Sequence, residues 1–97
     1  MTPWPFNDPP NVAVFTSKKI LDDNDWIQTV THDEDDGAWQ FHPYGGTVES
    51  DAKVVSLKTI TQIDPSVLEL ADLPLGWCAW RSTKEGQWKR DRRPPDS

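Results

Sequence analysis

Apolar and polar positions alternate in several short runs of this chain and fall at helical spacing in only a few places. The first run is NVAVFTS from Asn11, apolar and β-branched, which reads as a buried strand. Ser17 is a good N-cap for a turn of helix through KKIL, with Ile20 and Leu21 pointing inward. In WIQTVTH strict alternation puts Trp26, Gln28, Val30 and His32 on one face and Ile27, Thr29 and Thr31 on the other. AWQFH is the next strand, and HPYGGTVESDA then has the Pro and Gly-Gly chemistry of a loop. KVVSLKTITQI starts as a short extended segment and continues with Leu57, Ile60 and Ile63 at helical spacing. DPSVLELADL carries the clearest helix start, with Asp64 as N-cap and Pro65 at the first helical position. LPLGWCAWRS turns into a central strand with aromatic residues on both faces, and QWKR returns antiparallel to it after TKEG.

These elements make a small α+β fold. We expect a mainly antiparallel sheet of about five strands, with one or two short helices between the third and fourth. Four prolines within TPWPFNDPPN make residues 1–11 an extended or disordered arm, with Trp4 and Phe6 free to tuck onto the surface of the domain. A single domain then spans 12–90, and 91–97 is expected to be a disordered tail.

The segment THDEDDGAWQF, residues 31–41, sets five potential ligands before a glycine and two aromatics. As a calcium loop it fails. With Gly37 at the required sixth position, His32 stands first and Pro43 takes the place of the bidentate glutamate. As a hairpin it succeeds. Asp36-Gly37 is a strong turn signal, because the favoured two-residue turn needs φ > 0 at both central positions. A two- or four-residue loop puts Val30, Trp39 and Phe41 on one side together with His32, leaving His42 on the other. The histidines are then divided by the sheet, so they do not form a metal site. The flanking acids become a solvated edge or a contact patch for a basic partner.

At 97 residues the chain has room for one domain. A domain of this size buries a modest share of its surface, so its six Trp and three Phe must supply much of the core. One cysteine, Cys78, excludes an internal disulfide and the Cys-rich zinc sites, which fits a reducing compartment. Between Trp77 and Ala79, on a strand that reads as buried, it is expected to be an inert thiol. The N-terminal residues lack the basic leader and apolar run of a signal peptide, so a cytoplasmic setting is expected.

Charge is unevenly spread. Residues 1–72 hold 4 Lys or Arg against 13 Asp or Glu, and residues 73–97 hold 6 against 3. An acidic body repels phosphate backbones, so nucleic acid is not an expected partner, and the basic tail reads as a solvated end. No window approaches the ~18 apolar residues of a membrane span, so a membrane is not an expected partner either. No acid pair stands out as a glycosidase dyad, and Gly45-Gly46 lacks the strand–loop–helix context of a phosphate loop. The expectation is therefore no enzyme, no cofactor, no metal and no catalytic residue.

Three segments in order, VFTSKKIL, DEDDGAWQF with a Gly-Gly shortly after, and VSLKTITQIDPSVLELADLPLGWCAWR, resemble a family of small bacterial proteins. That family, long classed as a domain of unknown function, is also known as immunity protein 33-like. The resemblance covers about residues 12–82 and departs from the family pattern at Trp26, where a glycine and a tyrosine often stand. It implies a non-enzymatic protein that neutralises a toxin by binding it, and it carries over no site residues. Combined with the charge, it makes a basic toxin domain the expected partner. The expected contacts are Asp33, Glu34, Asp35 and Asp36 on the hairpin, with Glu49 and Asp51 on the following loop. The alternative is a small ligand-binding domain or enzyme with its site in an aromatic-lined pocket near Trp39, His42 and Trp80.

Overall fold

A computed structural model of the chain describes residues 4–92. Six strands form one mixed sheet: β1 (Ala13–Ser17), β2 (Ile27–His32), β3 (Trp39–Pro43), β4 (Ala52–Ser56), β5 (Trp77–Trp80) and β6 (Lys89–Arg92). Their order is β4-β1-β3-β2-β5-β6. Only β1 and β3 run parallel; the other neighbours are antiparallel. Two short helices, α1 (Lys18–Asp22) and α2 (Leu57–Ile63), join two 3₁₀ turns at Glu49–Asp51 and Pro65–Leu70. The α+β class is as expected.

The segment expected to be merely extended is a full strand. β4 pairs with β1 along its whole length, from Ala13 opposite Ser56 to Ser17 opposite Ala52. This raises the strand count to six and sets α2 and the second 3₁₀ turn between the fourth and fifth strands. DPSVLELADL is that 3₁₀ turn and not an α-helix. Pro65 drives Asp64 out of the helical region (φ −142°, ψ 95°), so α2 stops there and a tighter helix starts afresh. Asp64 ends one helix and caps the next, accepting from the Ser66 amide at 3.0 Å. The final strand begins at Lys89, two residues later than QWKR implies, because Trp88 leaves the sheet to lie over Arg81.

The core lies on one side of the sheet. Val14, Val30, Trp39, Phe41 and Ala79 face Ile20, Leu57, Ile60, Val67, Leu70 and Leu73. Phe6 joins this core at 6% exposure and meets Trp39 edge-on at 5.4 Å. Trp39 Nε1 donates to Asp8 Oδ2 at 2.9 Å, and the amides of Leu57 and Lys58 donate to the carbonyls of Val12 and Pro10. The proline-rich segment from Trp4 to Asn11 is thus tied along the helical layer. Residues 1–3 of the expected arm, and 93–97 of the expected tail, lie outside the described residues, while Asp91 and Arg92 belong to β6.

The face assignment in β2 needs one correction. The β2–β3 register shifts between Ile27 and Thr29, a bulge at Gln28. The extra residue brings Ile27 onto the same side as Val30, both buried, and places Trp26 before the strand.

Candidate functional site

The acidic hairpin is built as β2 and β3 dictate. His32 pairs with Trp39 and Val30 with Phe41, so these four share the core face, and His32 stacks on Trp39 at 3.9 Å. The His32 Nδ1 proton goes to the Leu73 carbonyl at 2.8 Å, which ties the hairpin to the loop before β5. Asp33 and Ala38 close a four-residue loop through an amide–carbonyl bond of 2.8 Å, and the Gly37 amide donates to the Asp33 carbonyl at 2.9 Å. Of the two turn residues only Gly37 has positive φ (73°). Asp36 instead uses Oδ1 to accept from the Ala38 amide at 2.9 Å.

Each acid of the loop has a distinct setting. Asp33 is half-buried and accepts from Gln40 Nε2 at 2.6 Å. The exposed Glu34 lays its carboxylate against Gly76. Asp35 and Asp36 are exposed and take part in no ion pair among the described residues. Glu49 and Asp51 are not with them. β3 runs away from the hairpin, β1 is parallel to it, and Ala52 sits opposite Ser17 at the far end. The 3₁₀ turn holding Glu49 and Asp51 therefore lies at the other end of the sheet, about 15 Å away along the strands. The six acids do not make one patch.

The aromatic trio is divided too. Trp39 is buried on the helical side, whereas His42 and Trp80 both flank Thr29 on the opposite face. Cys78 lies on that same face, half-buried and beside Thr31, and not in the core. Among the described residues no group of three His, Cys, Asp or Glu could hold a metal ion, and no helix is long and apolar enough to cross a membrane.

What sequence reasoning missed is a buried cation. Arg81 is 1% exposed at the end of β5. Its Nε donates to the Ile27 carbonyl (2.9 Å), Nη1 to Ser66 Oγ (3.0 Å) and Nη2 to Asp64 Oδ2 (2.5 Å). The Trp88 ring covers the guanidinium at 4.2 Å and donates its own Nε1–H to Ser66 Oγ at 3.2 Å. Burial pushes the Asp64 carboxyl up, but the hydrogen bonds from Ser66 and Arg81 outweigh it and hold the group below the usual carboxylate range. Arg81 also lines a half-open cavity of about 680 Å³, rimmed by Asp25, Glu69, Lys84 and Glu85. Its charge is already matched by Asp64, so Arg81 itself offers no spare charge to an anionic ligand in the cavity. The sequence signal for this cluster was Asp64-Pro65-Ser66, whose capping role alone does not reveal a distant arginine.

The chain matches no protein-family model, no curated protein and no solved structure. Function is therefore argued from these sites.

Proposed function

We propose that this protein is a non-enzymatic binding domain that engages a basic protein surface through its β2–β3 hairpin, in the manner of an immunity protein against a toxin. The observation that carries the reading is the loop Glu34–Gly37. It presents three exposed carboxylates on a backbone closed by two amide–carbonyl bonds and braced by the His32–Leu73 contact. A loop held in this way needs little ordering on binding, and unpaired acids at its tip favour fast encounter with a cationic surface. The proposed contacts are Glu34, Asp35 and Asp36, with Asp33 as a positioning residue through Gln40. Glu49 and Asp51, at the far end of the sheet, belong to a separate surface. The sequence resemblance supplies the toxin as the class of partner and the bacterial cytoplasm as the setting.

The test is capture of partners from the source cell with wild-type protein and with an Asp35→Lys/Asp36→Lys variant. The expected result is a basic protein held by the wild type and released by the variant, with binding that weakens as salt rises. The same partner set on both proteins would overturn the reading.

A further inference from the structure

Among the described residues no helix covers the other face of the sheet. Phe15 on β1 and Val54 on β4 face each other across it at 45% and 60% exposure, and Cys78 and Trp80 of β5 lie on it half-buried. At its centre is Thr31, 8% exposed, whose Oγ1 is a buried polar atom with no hydrogen-bond partner. A buried hydroxyl with no partner costs free energy, and the exposed Phe15 and Val54 leave this face incomplete as it stands.

The pattern of side chains says what completes it. On β6, Asp91 lies beside Cys78 and Lys89 beside Trp80; on β2, Thr31 lies beside Cys78 and Thr29 beside Trp80. The two rows are separated by one core-facing level, Val30–Ala79–Arg90. A twofold axis running across the strands at that level lays each row over the other row of a second copy. Asp91 then meets Lys89 of the partner, Cys78 meets Trp80, and Thr31 meets Thr29. Thr29 Oγ1 already gives its proton to Gln28 Oε1, so its lone pairs remain to accept a bond. Along β2, β5 and β6 acid falls on base, hydroxyl on hydroxyl, and apolar on apolar.

We propose that this uncovered face is the interface of a twofold-symmetric homodimer, with sheets packed face to face as in an aligned sandwich. Strands about 4.8 Å apart and about 3.3 Å per residue give a sheet face of roughly 25 by 15 Å. That is smaller than the roughly 800 Å² per partner typical of a stable complex, so the dimer is weak and depends on concentration. The proposal uses a different surface from the acidic hairpin, so the two stand or fall separately.

Sedimentation equilibrium up to about 1 mM protein tests it. The wild type is expected to approach twice its 11.1 kDa monomer mass. Lys89→Asp sets acid against acid twice and is expected to weaken association by about tenfold or more, while Lys89→Asp/Asp91→Lys restores the pairing and the dimer. Both positions are exposed, and circular dichroism checks that each variant folds. A wild type that stays monomeric overturns the proposal. So does a dimer indifferent to Lys89→Asp, or one that the double exchange fails to restore.

Discussion

Arg81 is almost fully buried and pairs with the partly exposed Asp64, and hydrogen bonds from Ser66 and to the Ile27 carbonyl complete the cluster. Taking a guanidinium out of water costs several kcal/mol unless hydrogen bonds and an opposite charge replace the lost hydration. Here a carbonyl, a hydroxyl, a carboxylate and an indole face do so. Removing one member leaves the other stranded, so Arg81→Met is expected to lower stability by about 3–5 kcal/mol, measured by urea unfolding. The pair also sets an acid limit. The folded Asp64 carboxyl lies below its unfolded value, so its contribution is complete above about pH 4 and disappears as pH falls through the folded value. Asp64→Asn should therefore be less stable at neutral pH and lose less stability on acidification than the wild type. An acid limb of unchanged steepness in the variant would show that other carboxyls govern it. Asp72, held down by Arg90, shifts in the same direction but is fully exposed and adds little.

The hairpin shows how local signals become an element. Two-residue alternation and the Asp36-Gly37 pair were enough to place His32, Trp39 and Phe41 together and His42 apart. They did not settle the turn, because a two-residue loop and a four-residue loop keep the same register. The structure has the longer loop, with positive φ at Gly37 alone. Gly37→Ala would meet no closer neighbour than Leu75 Cδ2 at 4.0 Å, so its cost is that of the left-handed backbone, about 1–2 kcal/mol. Asp35→Ala is expected to stay within about 0.5 kcal/mol, and paired thermal melts compare the two directly. At the other end of β2 alternation misled, since the bulge at Gln28 reverses the face of Ile27. A bulge depends on how two strands meet, and one strand's own sequence does not encode it.

Across the molecule, the proline-rich segment belongs to the fold. Its prolines do not suit a regular ladder, yet Phe6 closes the core against Trp39, and Asp8 receives the Trp39 indole proton. Phe6→Ala is expected to cost about 3 kcal/mol in denaturant unfolding, a large part of what a domain this size possesses. A loss below about 1 kcal/mol would mean that the segment only leans on the surface. The acids are likewise sorted by topology. β3 runs away from the hairpin and β4 starts opposite Ser17, so the turn before β4 lies at the end of the sheet opposite the hairpin.

The sequence alone determined the α+β class, most strand positions, the hairpin register and the acidic character of its tip. All of these follow from side-chain periodicity and turn chemistry within a few residues. Tertiary structure decided the strand order, the bare face around Thr31 and the enclosure of Arg81. Those depend on which distant segments meet, and no local spacing records that Arg81 faces Asp64 or that α1 and α2 pack on the same side of the sheet.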